Sequence, residues 1–161
     1  MIVVSDTSPL INLAAVGQLD LLRQLYQHVI IPQAIYDEIV VAGAGQPGAV
    51  EVKTAGWIEI HRLHDQTLVN ILLLELDRGE AEALALATEI KADLLLVDES
   101  KGRAIAARLG LSHIGLLGVL VLAKQRGIIV AVKPILDDLI AKAGFWIGGD
   151  LYQRVLQAVS E

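Results

Sequence analysis

The stretch Ile2-Val3-Val4-Ser5-Asp6-Thr7-Ser8 decides the fold of this chain. Four residues suited to a buried strand lead into Asp6, and the Thr-Ser-Pro turn that follows opens a predicted helix. An apolar run without alternation is typical of a strand that is covered on both faces, as in a parallel sheet. Ligands and catalytic groups of such sheets collect just beyond the carboxyl ends of the strands. Asp6 stands at that position.

The same arrangement returns later, in Leu94-Leu95-Leu96-Val97-Asp98-Glu99-Ser100. Here an apolar strand again delivers an acid into a short turn before a predicted helix. If the two strands are neighbours, Asp6 and Asp98 lie within reach of one divalent ion.

Strands and helices alternate along the whole chain, which favours an α/β fold with a parallel sheet. The apolar runs predict strands at about 2–5, 28–31, 57–60, 94–97 and 113–115. Helices are predicted in most of the intervening segments and twice more after residue 134. We therefore expect one domain, residues 1–161, with three α/β/α layers around a central parallel sheet of four to five strands.

Composition limits the possible environments of the protein. Hydrophobic residues make up 54% of the chain, and the mean hydropathy of +0.56 is high for a monomer. No apolar run reaches the roughly 18 residues that span a bilayer. We expect the surplus apolar area to form a subunit interface or to bind a partner. The absence of a secretory signal and of cysteine predicts a cytoplasmic protein without membrane attachment.

The net charge of −6 argues against a protein that mainly coats nucleic acid, because phosphate contacts need a basic surface. It does not argue against a nuclease, since metal ions neutralise the acids of a nuclease site.

Two predicted helices each carry one acid on their apolar face. Glu38 falls on the stripe that begins with Ile35, and Glu80 aligns with the stripe of Ala83 and Leu84. A carboxylate at a core-facing position is unfavourable unless it is paired or binds a metal. For either residue alone, a place at the rim of the stripe is the more common explanation.

The two glutamates together with the two strand-end aspartates change that balance. Four carboxylates facing one cleft, with no His or Cys among them, are oxygen-only ligands that suit Mg²⁺ or Mn²⁺ rather than zinc.

With these residues in place, the chain resembles the PIN-domain superfamily of metal-dependent nucleases. The similarity lies in Val4–Ile11, in Pro32–Glu38, in Gly79-Glu80-Ala81-Glu82-Ala83 and in Leu96-Val97-Asp98-Glu99. The family places its acids at the end of the first strand, on the helix after the second strand, at the start of the helix before the fourth strand, and at the end of the fourth strand. Glu80 stands where Asp is commoner, and Leu96 where Thr is common. Glu99 is positioned to assist its neighbour.

The resemblance implies a ribonuclease in which four acids hold one or two Mg²⁺ or Mn²⁺ ions. The metal and catalytic residues it implies are Asp6, Glu38, Glu80 and Asp98. It also implies a toxin of the VapC kind, dimeric and restrained by a small antitoxin protein.

Three further residues are candidates for substrate binding. Ser8 either orients a ligand or caps the first helix. Lys101 and Arg103 follow Asp98 closely and either contact substrate phosphates or form a solvated helix face.

Two other functions remain open from the sequence. One keeps the PIN fold without catalysis, as a module that binds RNA or a protein, although all four acids are present. The other is a phosphotransfer protein, but the second acid of the phosphatase pattern is replaced by Ser8 and the residues of a receiver domain are not found.

Overall fold

The computed structural model describes all residues from Met1 to Glu161 and contains one five-stranded parallel sheet. The strands are β1 (Val3–Ser5), β2 (Val29–Pro32), β3 (Ile58–His61), β4 (Leu94–Leu96) and β5 (His113–Ile114). The expected α/β class and the parallel sheet are confirmed.

The helices fill the connections between the strands and the C-terminal third of the chain. They are α1 (Thr7–Ala15), α2 (Asp20–Tyr26), α3 (Gln33–Tyr36), α4 (Ala49–Thr54), α5 (Thr67–Leu72), α6 (Arg78–Glu89), α7 (Ser100–Arg108), α8 (Leu116–Gln125), α9 (Lys133–Lys142) and α10 (Gly149–Ala158). A π-helical segment, Asp37–Ala42, continues directly from α3. No helix is both long enough and apolar enough to cross a membrane.

The strand order is β3-β2-β1-β4-β5, so β1 lies at the centre of the sheet. Val4 pairs with Ile30 of β2 on one side and with Leu95 of β4 on the other. The chain builds outward from β1 to β3 and then returns to the opposite side of β1 with β4. Ligands of open parallel sheets bind at the carboxyl ends of the strands beside such a reversal. Asp6 follows β1 at this point.

The central strands are covered on both faces, as their apolar sequences predict. All three residues of β1 are buried, and Leu95 and Leu96 of β4 are also inaccessible to solvent. The buried stripe of α6 packs within the same continuous hydrophobic cluster. This packing fixes the strand ends, and with them the acids that follow.

Candidate active site

A narrow cleft of about 140 Å³ opens beyond the carboxyl ends of the central strands. It is strongly acidic, and neither Lys nor Arg lines it. The lining residues are Asp6, Thr7, Ser8, Ile11, Asn12, Glu38, Asp77, Glu80 and Glu99. Three of the four acids proposed from the sequence, Asp6, Glu38 and Glu80, therefore meet in one place.

Asp6 is the most rigidly held of these acids. Its backbone N–H donates to the carbonyl oxygen of Leu96 at 2.9 Å, which continues the pairing of β1 with β4 by one residue. The residue is only 4% exposed. It occupies the N-cap position of α1, yet its side chain makes no capping hydrogen bond. The carboxylate is thus held at the strand end by burial and by a hydrogen bond from the Thr7 backbone N–H.

Glu38 reaches the cleft from the π-helical segment and is exposed at the rim of its stripe, whereas Ile35 and Ile39 are buried. Its Oε2 atom accepts a hydrogen bond from the Thr7 hydroxyl at 2.8 Å. Gly79 leaves room for this carboxylate, because a Cβ at residue 79 would lie 2.7 Å from Glu38 Oε2.

Glu80 comes from the first turn of α6, and Asp77 accompanies it. Asp77 is the N-cap of α6, and its Oδ1 atom accepts a hydrogen bond from the Glu80 backbone N–H at 2.9 Å. The sequence analysis did not identify Asp77 as a site residue. The signal was present, since an Asp three residues before a Glu at a helix start is a capping pattern.

The two acids that follow β4 lie in different surroundings. Glu99 lines the acidic cleft, whereas Asp98 does not and instead lines a second cavity. Asp98 Oδ1 accepts a hydrogen bond from the Leu116 backbone N–H, at the start of α8, at 2.7 Å. That bond engages one of the two oxygens of the Asp98 carboxylate. The structure thus brings Glu99 to the place that the sequence analysis gave to Asp98.

Burial and the neighbouring carboxylates shift the pKa of Asp6. Burial is the main cause that raises its pKa to about 7. A hydrogen bond from the Thr7 backbone N–H lowers the pKa, and the charges of Asp77, Glu38 and Glu99 raise it.

Glu80 is affected in the same direction. Burial raises its pKa to about 8, assisted by a hydrogen bond with Glu99 and by the negative charges of Asp77, Glu99 and Asp6. Near neutral pH the cleft therefore retains protons that isolated carboxyl groups would have lost. A cation that enters such a site replaces these protons.

The substrate-binding candidates are distributed over different surfaces. Ser8 lies within the first turn of α1 and lines the cleft, while Asp6 takes the cap position. Arg103 lines the second cavity, and Lys101 is exposed outside both. Asn12, one turn after Ser8 on α1, also lines the cleft and was not identified from the sequence.

The donor set of the cleft fits a hard divalent cation, because it consists of carboxylate, hydroxyl and amide oxygens. No three His, Asp or Glu side chains are already arranged to hold a metal ion. Glu38 and Glu99 are both exposed, so each side chain can reorient toward a cation by giving up one hydrogen bond, to Thr7 and to Glu80 respectively, while Asp6 stays buried.

Comparison with known proteins agrees with this fold. A family model described as "PIN domain" matches residues 2–161, and the chain belongs to this family. The fold is similar to that of a PilT N-terminus domain protein from the hyperthermophilic archaeon Sulfolobus solfataricus P2, with a TM-score of 0.56 and 18% sequence identity. That similarity covers 74% of this chain and 90% of the other. No curated protein matches the sequence.

Membership in the PIN-domain family gives the acidic cleft a functional context. PIN domains are commonly nucleases and typically use divalent metal ions.

Proposed function

We propose that this protein is a metal-dependent ribonuclease that hydrolyses RNA phosphodiester bonds at the acidic cleft. The observation that supports the proposal is the convergence of Asp6, Glu38, Glu80 and Glu99 on one cleft that no cationic side chain lines. Carboxylates gathered without a counter-charge destabilise the fold unless a ligand compensates them. A divalent cation is the ligand that this donor set favours.

Asp6, Glu80 and Glu99 would hold the cation, with Glu38 and Asp77 at the edge of the site. When bound, Mg²⁺ or Mn²⁺ supplies Lewis-acid activation of the phosphodiester and of a water molecule. Asp98, which was expected from the sequence among the metal ligands, lines the neighbouring cavity and not the cleft, so this proposal leaves it outside the metal site.

The chain's own residues contribute position and proton control. Asp6 provides a fixed carboxylate at the central strand end, so the reacting phosphate is located relative to the rigid sheet. Glu80 and Glu99 share a hydrogen bond, and this pair is suited to hold or release a proton as a ligand arrives. Ser8 and Asn12 offer hydrogen-bonding groups to the substrate from one face of α1.

We extend the proposal, on the family resemblance, to a toxin that acts in the cytoplasm as a homodimer and is restrained by a small antitoxin protein. Exposed apolar side chains support a protein interface of some kind. Leu74 is 85% exposed and Ile71, on α5, is 57% exposed. Isolated apolar residues are normal on a surface, so the oligomeric state needs direct measurement.

The first test is calorimetric titration of Mn²⁺ and Mg²⁺ into the wild type and Asp6→Asn, followed by incubation of labelled RNA with each metal. We expect binding and cleavage in the wild type and neither in the variant. Glu82→Gln is the matched control, because Glu82 lies on the same helix as Glu80 but pairs with Arg78 outside the cleft. A well-folded wild type that binds neither metal would refute the proposal and favour a PIN-fold module without catalysis.

A further inference from the structure

A second cavity lies beside the acidic cleft, on the β5 side of the sheet. Its volume is about 410 Å³, within the range of roughly 300–1,000 Å³ that is usual for pockets that hold small organic groups. Asp98 and Arg103 line it from the β4 end and α7, and Phe145, Trp146 and Leu151 line it from the C-terminal part of the chain. The cleft and the cavity are neighbours, because Glu99 lines the acidic cleft and the preceding residue, Asp98, lines the second cavity.

Trp146 is the most unusual residue of this cavity. It is 86% exposed, although Phe145 and Ile147 on either side pack partly against the hydrophobic core. The Phe145 backbone N–H also donates to the Leu139 carbonyl oxygen at 3.0 Å. The flanking residues thus anchor the segment between α9 and α10, and the indole is held outward without a role in core packing.

The cavity also contains polar groups that lack partners. No carboxylate oxygen lies within 4.0 Å of the Arg103 guanidinium nitrogens, and that side chain makes no hydrogen bond. Asp98 Oδ2 is buried and has no hydrogen-bond partner. A Cβ at Gly115 would lie 3.0 Å from Asp98 Oδ1 and 3.8 Å from Arg103 Nη1, so glycine keeps this part of the cavity open.

We propose that this cavity binds an unpaired nucleobase of single-stranded RNA, stacked on Trp146, with the adjoining phosphate on Arg103. The inference rests on the proposed nuclease function and adds to it a base-binding subsite at Trp146. The charge of Arg103 acts on the neighbouring Asp98 and lowers its pKa against the larger effect of burial, but the guanidinium makes no hydrogen bond. An exposed aromatic ring next to such a cation is the combination that binds single strands, because every base has a face for stacking and every linkage has a charge.

The position of the cavity supports a nucleic acid over a protein as its occupant. A phosphodiester at the acidic cleft must be followed by another nucleotide, and the β4 end connects the two sites. The apolar residues that line the cavity are Leu116, Leu117, Phe145, Trp146, Ile147 and Leu151, and only Trp146 and Leu151 among them are exposed. A protein partner would be expected to cover a larger exposed apolar patch than these two side chains. A duplex fits poorly, since its bases are stacked on one another and unavailable to Trp146.

The test measures the intrinsic fluorescence of Trp146. In an Asp6→Asn and Trp57→Phe background, Trp146 is the sole tryptophan and the proposed cleavage is disabled. A short single-stranded oligoribonucleotide, a duplex of the same sequence, and a ribose-phosphate chain without bases are titrated in turn. We expect the single strand to quench the fluorescence and to bind about tenfold more tightly than the chain without bases.

Single substitutions in a chain that retains Trp57 then identify the residues that bind the RNA. Binding is measured by the fluorescence anisotropy of a labelled oligoribonucleotide. Trp146→Ala should weaken binding by about tenfold, Trp146→Phe should restore most of it, and Leu74→Ala, at a comparably exposed apolar residue, should not change it. Arg103→Gln should weaken the normal and the baseless chain alike and reduce the salt dependence of binding by about one charge.

Three outcomes would overturn the subsite. Equal affinity for the single strand and the baseless chain would exclude base stacking. Unchanged binding in Trp146→Ala would remove its central residue. Self-association or capture of a protein that depends on Trp146, without an effect on RNA, would make the surface a protein interface. Quenching by single-stranded RNA without metal-dependent cleavage by the wild type would instead refute the proposed function and leave the subsite standing.

Discussion

Carboxylates in two regions of this molecule have opposite environments. In the acidic cleft, burial and neighbouring acids raise the pKa of Asp6 to about 7 and that of Glu80 to about 8. Glu161 lies at the end of the chain, near α8 and α9. Burial raises the pKa of Glu161, but hydrogen bonds outweigh it and lower the value to about 2.

The difference comes from the partners of each group. Glu161 accepts hydrogen bonds from the Val132 N–H at 2.7 Å, the Lys133 N–H at 3.0 Å and the Lys124 ammonium at 2.9 Å. These donors compensate the negative charge of Glu161 within the fold. The same hydrogen bonds attach Glu161 to α8 and to the start of α9. The acids of the cleft have like charges as neighbours instead. A compensated carboxylate stabilises structure, whereas an uncompensated cluster is available to an external cation.

The largest expected contrast is in catalysis. Asp6→Asn should reduce metal-dependent RNA cleavage by at least about 100-fold, because it removes the fixed carboxylate of the proposed metal site. Glu161→Gln should leave the cleavage rate unchanged. Rates are measured with labelled RNA in Mn²⁺ at one pH for both variants. Equal losses of cleavage rate in the two variants would show that the acidic cleft and the Glu161 region do not differ in their role in catalysis.

The second contrast is in stability without metal. A folded-state pKa above the unfolded value means that the native protein binds more protons between the two, so stability falls as pH rises from about 4 to about 8. Asp6→Asn removes one of the two groups that cause this loss of stability. Relative to the wild type, the variant should have a free energy of unfolding about 1–3 kcal/mol higher at pH 8, with little change at pH 4. Urea unfolding at both pH values checks this. A destabilised variant at pH 8 would contradict it.

Glu161→Gln should act in the opposite direction. The depressed pKa means that Glu161 contributes stability above its unfolded value of 4.5 and loses it as pH falls toward 2. At pH 7 the substitution should lower the free energy of unfolding by about 1 kcal/mol, the size of a few exposed charge-assisted hydrogen bonds. The difference from wild type should shrink in urea unfolding at pH 3. Glu51→Gln serves as a comparison, because Glu51 accepts a bond from the Gly48 N–H without an ammonium partner.

The smallest effect tests how closely the cleft is fitted around Glu38. Gly79→Ala places a methyl group 2.7 Å from the present position of Glu38 Oε2, so the flexible carboxylate must move. We expect a severalfold weaker Mn²⁺ affinity by calorimetry, with stability unchanged or raised by about 0.5–1 kcal/mol because alanine favours the helix. Gly149→Ala, which has nothing within 4 Å of the added carbon, is the matched control. Unchanged affinity in Gly79→Ala would show that Glu38 does not contact the cation.

The order of the residues was sufficient to predict the sheet and the strand-end position of Asp6. Unbroken apolar runs must be buried on both faces, and this requirement predicts parallel strands whatever the details of packing. Helical periodicity also predicted that Glu38 and Glu80 share the core-facing side of their helices, and both line the cleft in the structure. The short helix α4 and the π-helical turn beneath Glu38 were not predicted, because local propensity says little about six-residue segments.

Asp98 was expected in the cleft with Glu99 assisting it, but in the folded chain Glu99 lines the cleft and Asp98 does not. Both follow β4 in a turn, where no periodicity fixes the direction of a side chain. The deciding contact is the hydrogen bond from the Leu116 N–H, a donor eighteen residues later in the chain. That donor reaches Asp98 because β5 pairs beside β4 and ends at α8. Such a partner exists only after the sheet has formed, so the neighbour that faces the cleft is set by the assembled fold.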